Sequence, residues 1–355
     1  MKISDIRVYD RDLGTNRPYS IAYKTVTEVK NVFVEIELEN GIVGIGAANP
    51  SEKVVGETVE DAIKHLEEAD FEYLRGHKIT AFEGLLKETK RRFEQWPGTN
   101  VAIDIALHDA FTKYLKISLG EYFGIAHRSM PTSITIGIKN VAETVKEAEE
   151  YWQAGFRCIK VKTGLSPEED AERIMKIFEK YPSAVLRVDA NQGYTPDDLK
   201  VFVDATSKVD LELIEQPFPV DRFAQDARDL SDDVSRFLVA DESLKNPYDA
   251  LNLIKQVPNC KIFNIKLMKT GGLSAAAEIA DMAGREGIQL MWGCNDESAV
   301  SITAALHLAF SYAHTKYIDL DGSLDLVSDI VSGGFIIEEG VMRPKGGMGL
   351  GISFQ

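Results

Sequence analysis

Eight positions set the chemistry open to this chain. Lys160 and Lys162 stand two apart, Asp189, Glu215 and Asp241 follow Lys162 at successive intervals of 27, 26 and 26 residues, Lys266 comes 25 later, and Asp319-Leu320-Asp321 closes the series. Three carboxylates gathered in one place would repel one another and take up protons unless a divalent cation neutralised them. Oxygen-only ligands, with room for water and substrate, suit octahedral Mg²⁺, one ion per subunit, better than zinc, which favours His or Cys. A lysine near a dication and a second ammonium has its pKa lowered, so its neutral amine can act as a base near neutral pH. Lysines on both sides of a metal-held substrate carboxylate would take a proton from its α-carbon, with Mg²⁺ stabilising the enediolate as a Lewis acid. If Lys162 and Lys266 work on opposite faces, one removes the proton, the other returns it, and the centre inverts. Singly, each acid could merely cap a helix in a loop and each lysine merely form a salt bridge, which is one role open to Lys160 alongside contact with a substrate carboxylate. Three acids in register and two opposed amines weigh against that reading.

The elements that position these residues show in the periodicity. Short apolar segments at 133–138, 157–162, 185–191, 211–216, 237–242, 262–267, 289–294 and 317–321 alternate with amphipathic helical stretches, a βα repeat of 25 to 28 residues. Eight such units with near-continuous apolar strands predict a parallel barrel, in which polar strand ends gather at one mouth. Strands two and six face each other in a ring of eight, so Lys162 and Lys266 flank the acids of strands three to five. Strand eight faces strand four, which predicts Asp319 and Asp321 on the side away from the metal. Before the barrel, strand-like alternation at 3–9, 31–38 and 42–47, with an Asn40-Gly41 turn, gives way to helical periodicity over 59–123, broken at Pro97-Gly98. The polar stretch 12–25 reads as a lid loop rather than a tight hairpin. After strand eight the chain turns Gly-rich and strand-like. The predicted fold class is α/β: a (β/α)7β-type TIM barrel (126–325) with an α+β capping domain (1–125), onto which a C-terminal tail (326–355) packs back.

Composition narrows the function classes. The 355 residues carry 40 Lys+Arg against 56 Asp+Glu, a net charge of −16, which disfavours nucleic-acid phosphates and anionic membranes as partners. No apolar stretch suggests a signal peptide or membrane span, so a cytoplasmic protein is expected. Three widely separated cysteines support neither a disulfide framework nor a thiolate zinc site, and the six histidines form no HExxH. The sequence leaves homo-oligomerisation open.

Taken together, the paired lysines, the three acids, Asn264-Ile265-Lys266-Leu267, the segment 293–298 and the loop near residue 24 resemble the enolase superfamily, its muconate-lactonizing subgroup, and within it the dipeptide epimerases. The resemblance covers essentially the whole chain, and a lysine base beside Mg²⁺ is a pattern already known from enolase-type sites. The lysines and acids alone are shared with cycloisomerases and o-succinylbenzoate synthases. Asp319-Leu320-Asp321 discriminates further, since the resemblance implies that it anchors the α-ammonium of a dipeptide, whose two residues span ~3.3–3.6 Å each. Family members acting on Ala-Glu often carry Arg in the loop near residue 24, where this chain has Lys24, a less exact carboxylate partner. In segment 293–298 the family's usual Met is Asn295, followed by Asp296, whose charge favours a basic substrate side chain; Lys24 pulls the other way. Thr135 on strand one is a candidate hydrogen-bond partner for the substrate. Two rivals remain at this level: a cycloisomerase or N-acylamino acid racemase, which would give the two aspartates no ammonium to hold, and a non-catalytic metal-binding barrel, which would need no bases.

Overall fold

The computed structural model describes residues 1–16 and 28–355 in full, together with the backbone of 19–21 and 24–26. Ile3–Asp12, Lys30–Leu38 and Val43–Ala48 form an antiparallel sheet, with the middle strand paired on both sides. Its covering element is the helix Pro97–Leu115, buried along most of its length. The predicted break at Pro97 is the start of this helix, because proline suits a first turn where its missing N–H costs nothing. Gly44 and Gly46 let the helix lie directly on the sheet: a Cβ at Gly46 would come within 1.9 Å of the Ala102 carbonyl oxygen.

Within the stretch expected to be a loop, Tyr19–Ile21 pairs antiparallel with Lys24–Val26. Tyr, Ile, Thr and Val favour a pleated surface, and this preference prevails over the polar character of the segment.

Three carboxylates fasten the long helix to its surroundings. Glu57 accepts the Gly98 N–H at 2.6 Å, Asp104 accepts the Leu273 N–H at 2.7 Å, and Asp109 accepts the N–H groups of Ile45 and Leu350, both at 2.9 Å. Capping strand, barrel helix and C-terminal tail thus meet on one helix.

The barrel strands are Ile134–Ile136, Cys158–Lys162, Val185–Asp189, Leu211–Glu215, Leu238–Ala240, Ile262–Ile265, Gln289–Gly293 and Thr315–Asp319, hydrogen-bonded in sequence order in one eight-stranded sheet. Ser133 N–H donates to the Ile318 carbonyl at 3.2 Å and Thr132 bridges to Ile318, closing the ring beside its first strand. The register sets Lys162 beside Asp189 and Asp189 beside Glu215. Beyond strand eight, Val331–Gly333 pairs with Ile352–Phe354, and Val341–Pro344 pairs with both Phe335–Glu338 and Met130–Pro131. Among the described residues no helix is long and apolar enough to cross a membrane.

Candidate active site

The strand ends open into a cavity of about 540 Å³ bounded by the barrel mouth and by residues 49–60 of the N-terminal region. That volume suits a small molecule of a few residues. Lys160, Lys162, Asp241, Lys266, Asp319 and Asp321 all line it, as do Thr135 and Asp296. The side chain of Lys24 lies outside the described residues.

Asp189, Glu215 and Asp241 are buried side by side on strands three, four and just past five. Lys162 Nζ stands 2.7 Å from Asp189 Oδ2 at one end of this row, and Lys266 Nζ stands 2.7 Å from Asp241 Oδ2 at the other. Lys160 is buried between them, 2.7 Å from Glu215 Oε2 and 3.1 Å from Asp189 Oδ2. The same ammonium is 2.7 Å from Asp319 Oδ2. Asp319 is therefore a neighbour of the acid row, contrary to the expectation that strand eight keeps it apart; the long Lys160 side chain reaches across the ring and draws both carboxylates to itself. Ser133 Oγ completes the Asp319 shell at 2.6 Å. Asp321, two residues on, accepts the Thr135 backbone N–H at 2.7 Å.

Burial first, then the neighbouring charge of Asp189, pushes the Glu215 carboxyl up to about 8. Lys266 is pulled down by burial, but the charges of Asp241 and Glu215 more than offset this and hold it well above the usual lysine range. The lowered pKa expected for a base therefore requires the countercharge of a dication. Among the described residues no three acids stand preassembled around an ion, because each turns an oxygen to a lysine. The donor chemistry nevertheless fits one: three buried carboxylates, with Glu215 Oε2 accepting no hydrogen bond despite its ion pair with Lys160. Hard oxygen donors of this kind match Mg²⁺.

Four further residues take roles that the sequence does not assign them. Lys269 is buried and its ammonium donates to the Asp241 carbonyl (2.5 Å), to Asp241 Oδ1 and to the Asn264 carbonyl (2.9 Å). Asn264 Nδ2 donates to Glu215 Oε1 at 2.8 Å. Gln216 Oε1 accepts the Asp241 N–H at 2.9 Å, stitching strand four to strand five, and the Asn191 N–H donates to Asp189 Oδ1 at 3.0 Å. Asn191 and Gln216 have positive φ (42° and 38°), so the chain turns sharply after each acid. The only signal in the sequence was position: each polar residue adjoins a strand end, without its partner in view.

Residues 4–124 match the mandelate racemase/muconate lactonizing enzyme N-terminal domain, and residues 143–355 the enolase C-terminal domain-like family. The chain belongs to the enolase superfamily. Within that superfamily it is 47% identical over 353 residues to the L-Lys-D/L-Arg epimerase of Desulforapulum autotrophicum, covering 99% of each chain. It is similar, at 44% identity and a TM-score of 0.97 over 100% of both chains, to the dipeptide epimerase from Methylococcus capsulatus solved with Mg and the dipeptide L-Arg-D-Lys. An N-succinyl Arg/Lys racemase from Bacillus cereus shares the superfamily fold at 28% identity and a TM-score of 0.93, over 100% of this chain and 96% of the other.

Proposed function

We infer that this chain is an Mg²⁺-dependent dipeptide epimerase that inverts the α-carbon of the C-terminal residue and favours basic side chains. The observation that carries the reading is the placement of two amines, Lys162 and Lys266, at opposite ends of one row of acids. Asp189, Glu215 and Asp241 would hold the ion, which supplies positive charge to the substrate carboxylate as its α-proton leaves. Lys162 and Lys266 exchange that proton from opposite faces. Lys160 neutralises the acid row and Asp319, and is placed to meet a substrate carboxylate. Asp319 and Asp321 anchor the free ammonium, with Thr135 and Lys24 as further substrate contacts and Asp296 beside a basic side chain. The capping segment 1–125 lies over the mouth of the barrel 126–325, and the tail 326–355 packs back on that segment. The acidity of the chain and the names of its relatives support cationic dipeptides.

A second reading, N-acylamino acid racemisation, is favoured by likeness to the N-succinyl Arg/Lys racemase. It leaves Asp319 and Asp321 without an ammonium to bind. Proton NMR of dipeptide pools in D₂O with Mg²⁺ separates the two. The expected result is loss of the α-proton signal at the C-terminal residue of Lys- and Arg-containing dipeptides, with diastereomers appearing. Lys162→Ala and Lys266→Ala should each abolish epimerisation, falling by about 10³-fold or more. Exchange confined to N-acylated amino acids would favour the second reading, and metal binding without any exchange would point to a non-catalytic barrel. A cytoplasmic home and association into a homo-oligomer complete the proposal, and fractionation and sedimentation velocity read them out.

A further inference from the structure

Each carboxylate of the acid row has one oxygen engaged by a donor that is not one of the three lysines at the mouth. Asp189 Oδ1 takes the Asn191 N–H at 3.0 Å, Glu215 Oε1 takes Asn264 Nδ2 at 2.8 Å, and Asp241 Oδ1 takes the Lys269 ammonium. The other oxygen of each makes the short contact with a mouth lysine: Asp189 Oδ2 with Lys162, Glu215 Oε2 with Lys160 and Asp241 Oδ2 with Lys266, all at 2.7 Å, while Glu215 Oε1 lies 3.9 Å from Lys266. Lys269 differs from Lys162 and Lys266, each of which has one carboxylate within 3 Å. Its three acceptors, two on Asp241 and one on Asn264, use all three of its N–H donors, and it is buried. It has no hydrogen left for a substrate.

We propose that Lys269 and Asn264 are positioning residues that restrict Asp241 and Glu215 to one-oxygen ligation, and so make the centre selective for Mg²⁺ over Ca²⁺. The physical reason lies in what the two ions ask of a carboxylate. Mg²⁺ needs a compact octahedron and is content with one oxygen from each acid, three in all, with the rest left to water and substrate. Ca²⁺ is larger, takes six to eight oxygens, and fills its shell by gripping carboxylates with both. An acid whose second oxygen is tied to a buried donor is held against the rotation that would bring both oxygens onto one ion. The inference rests on the metal role proposed above for the three acids.

The test titrates the full-length chain, stripped of metal by chelation, with MgCl₂ and CaCl₂ separately by isothermal calorimetry, without substrate or turnover. The parent should bind Mg²⁺ more tightly than Ca²⁺. In Lys269→Met and in Asn264→Leu, the ratio of Ca²⁺ to Mg²⁺ affinity should rise by about tenfold. Removing the Lys269 charge will strengthen both ions, but that common gain cancels in the ratio, and Asn264→Leu changes no charge. Circular dichroism selects folded variants, and Lys269→Arg, which keeps the charge but changes the donor geometry, replaces Lys269→Met if methionine is not tolerated. A ratio unchanged in the folded variants, or a parent that prefers Ca²⁺, overturns the proposal. A parent that binds neither ion instead overturns the metal role of the acids.

Discussion

Asp319 and Asp321 are two residues apart yet differently employed. Asp319 is held by Lys160 and Ser133 inside the barrel, and those partners keep its carboxyl below the usual range against the effect of burial. Asp321 is pushed up to about 7 by burial and by the Asp319 charge, so an incoming ammonium would meet a carboxyl that gains from its arrival. Asp321→Asn should therefore lower kcat/KM for dipeptides by roughly 10- to 150-fold, the worth of a charged hydrogen bond. Steady-state rates on paired free and N-acetylated dipeptides check this. Equal rates on both for the parent would place the ammonium elsewhere. At this scale the sequence revealed the acids, Lys162 and Lys266, because each closes an apolar strand at a repeating interval. It does not reveal what Lys269 and Asn264 hold, because their carboxylate partners lie 28 and 49 residues away and only the barrel brings them into contact. Lys160 was located but its reach was not, since spacing along a strand says nothing about how far a side chain extends across the ring.

The helix Ala299–Ala309 and the short helix Leu119–Phe123 receive the tail beside Leu350. His307 is buried there, packed so tightly that a Cβ on Gly120 would lie 2.8 Å from its Nδ1. Burial lowers its pKa to about 4, against a backbone hydrogen bond at Leu350 that raises it. The unfolded chain, titrating near 6.5, binds the proton first as pH falls, so this contribution is intact above about 6.5 and is lost towards pH 4, by up to roughly 3 kcal/mol. Chemical denaturation of the parent and His307→Gln between those limits should show the parent losing stability more steeply as pH falls. Parallel curves would assign the acid sensitivity to other groups. The barrel strands were legible because they are short, apolar and evenly spaced; the pairing of the tail with Met130–Pro131 was not, because 210 residues separate Pro131 from its partner Val341 and glycines carry no pattern. The pairing within 19–26 is hidden in the sequence for a related reason, its β-forming residues being diluted by polar neighbours.

For the whole molecule, a net charge of −16 sets up a field that draws cationic solutes towards an acid-lined mouth. If basic dipeptides are the substrates, kcat/KM for a Lys-Arg dipeptide should fall several-fold as salt rises from about 0.02 to 0.2 M, while an uncharged-side-chain dipeptide changes little. Stopped assays across that range decide it, and equal salt slopes would remove the field from the account. The same scale shows what the long helix Pro97–Leu115 does beyond filling a core. Glu57, Asp104 and Asp109 tie its first turn, its middle and its second half to three different parts of the chain. A beam riveted at three places does not hinge. Such ties would keep the N-terminal region and the barrel together through the reaction cycle and leave any opening to short spans at the mouth, of which 49–60 is one. Hydrogen exchange would then find its slowest amides along that beam whether or not a dipeptide is bound.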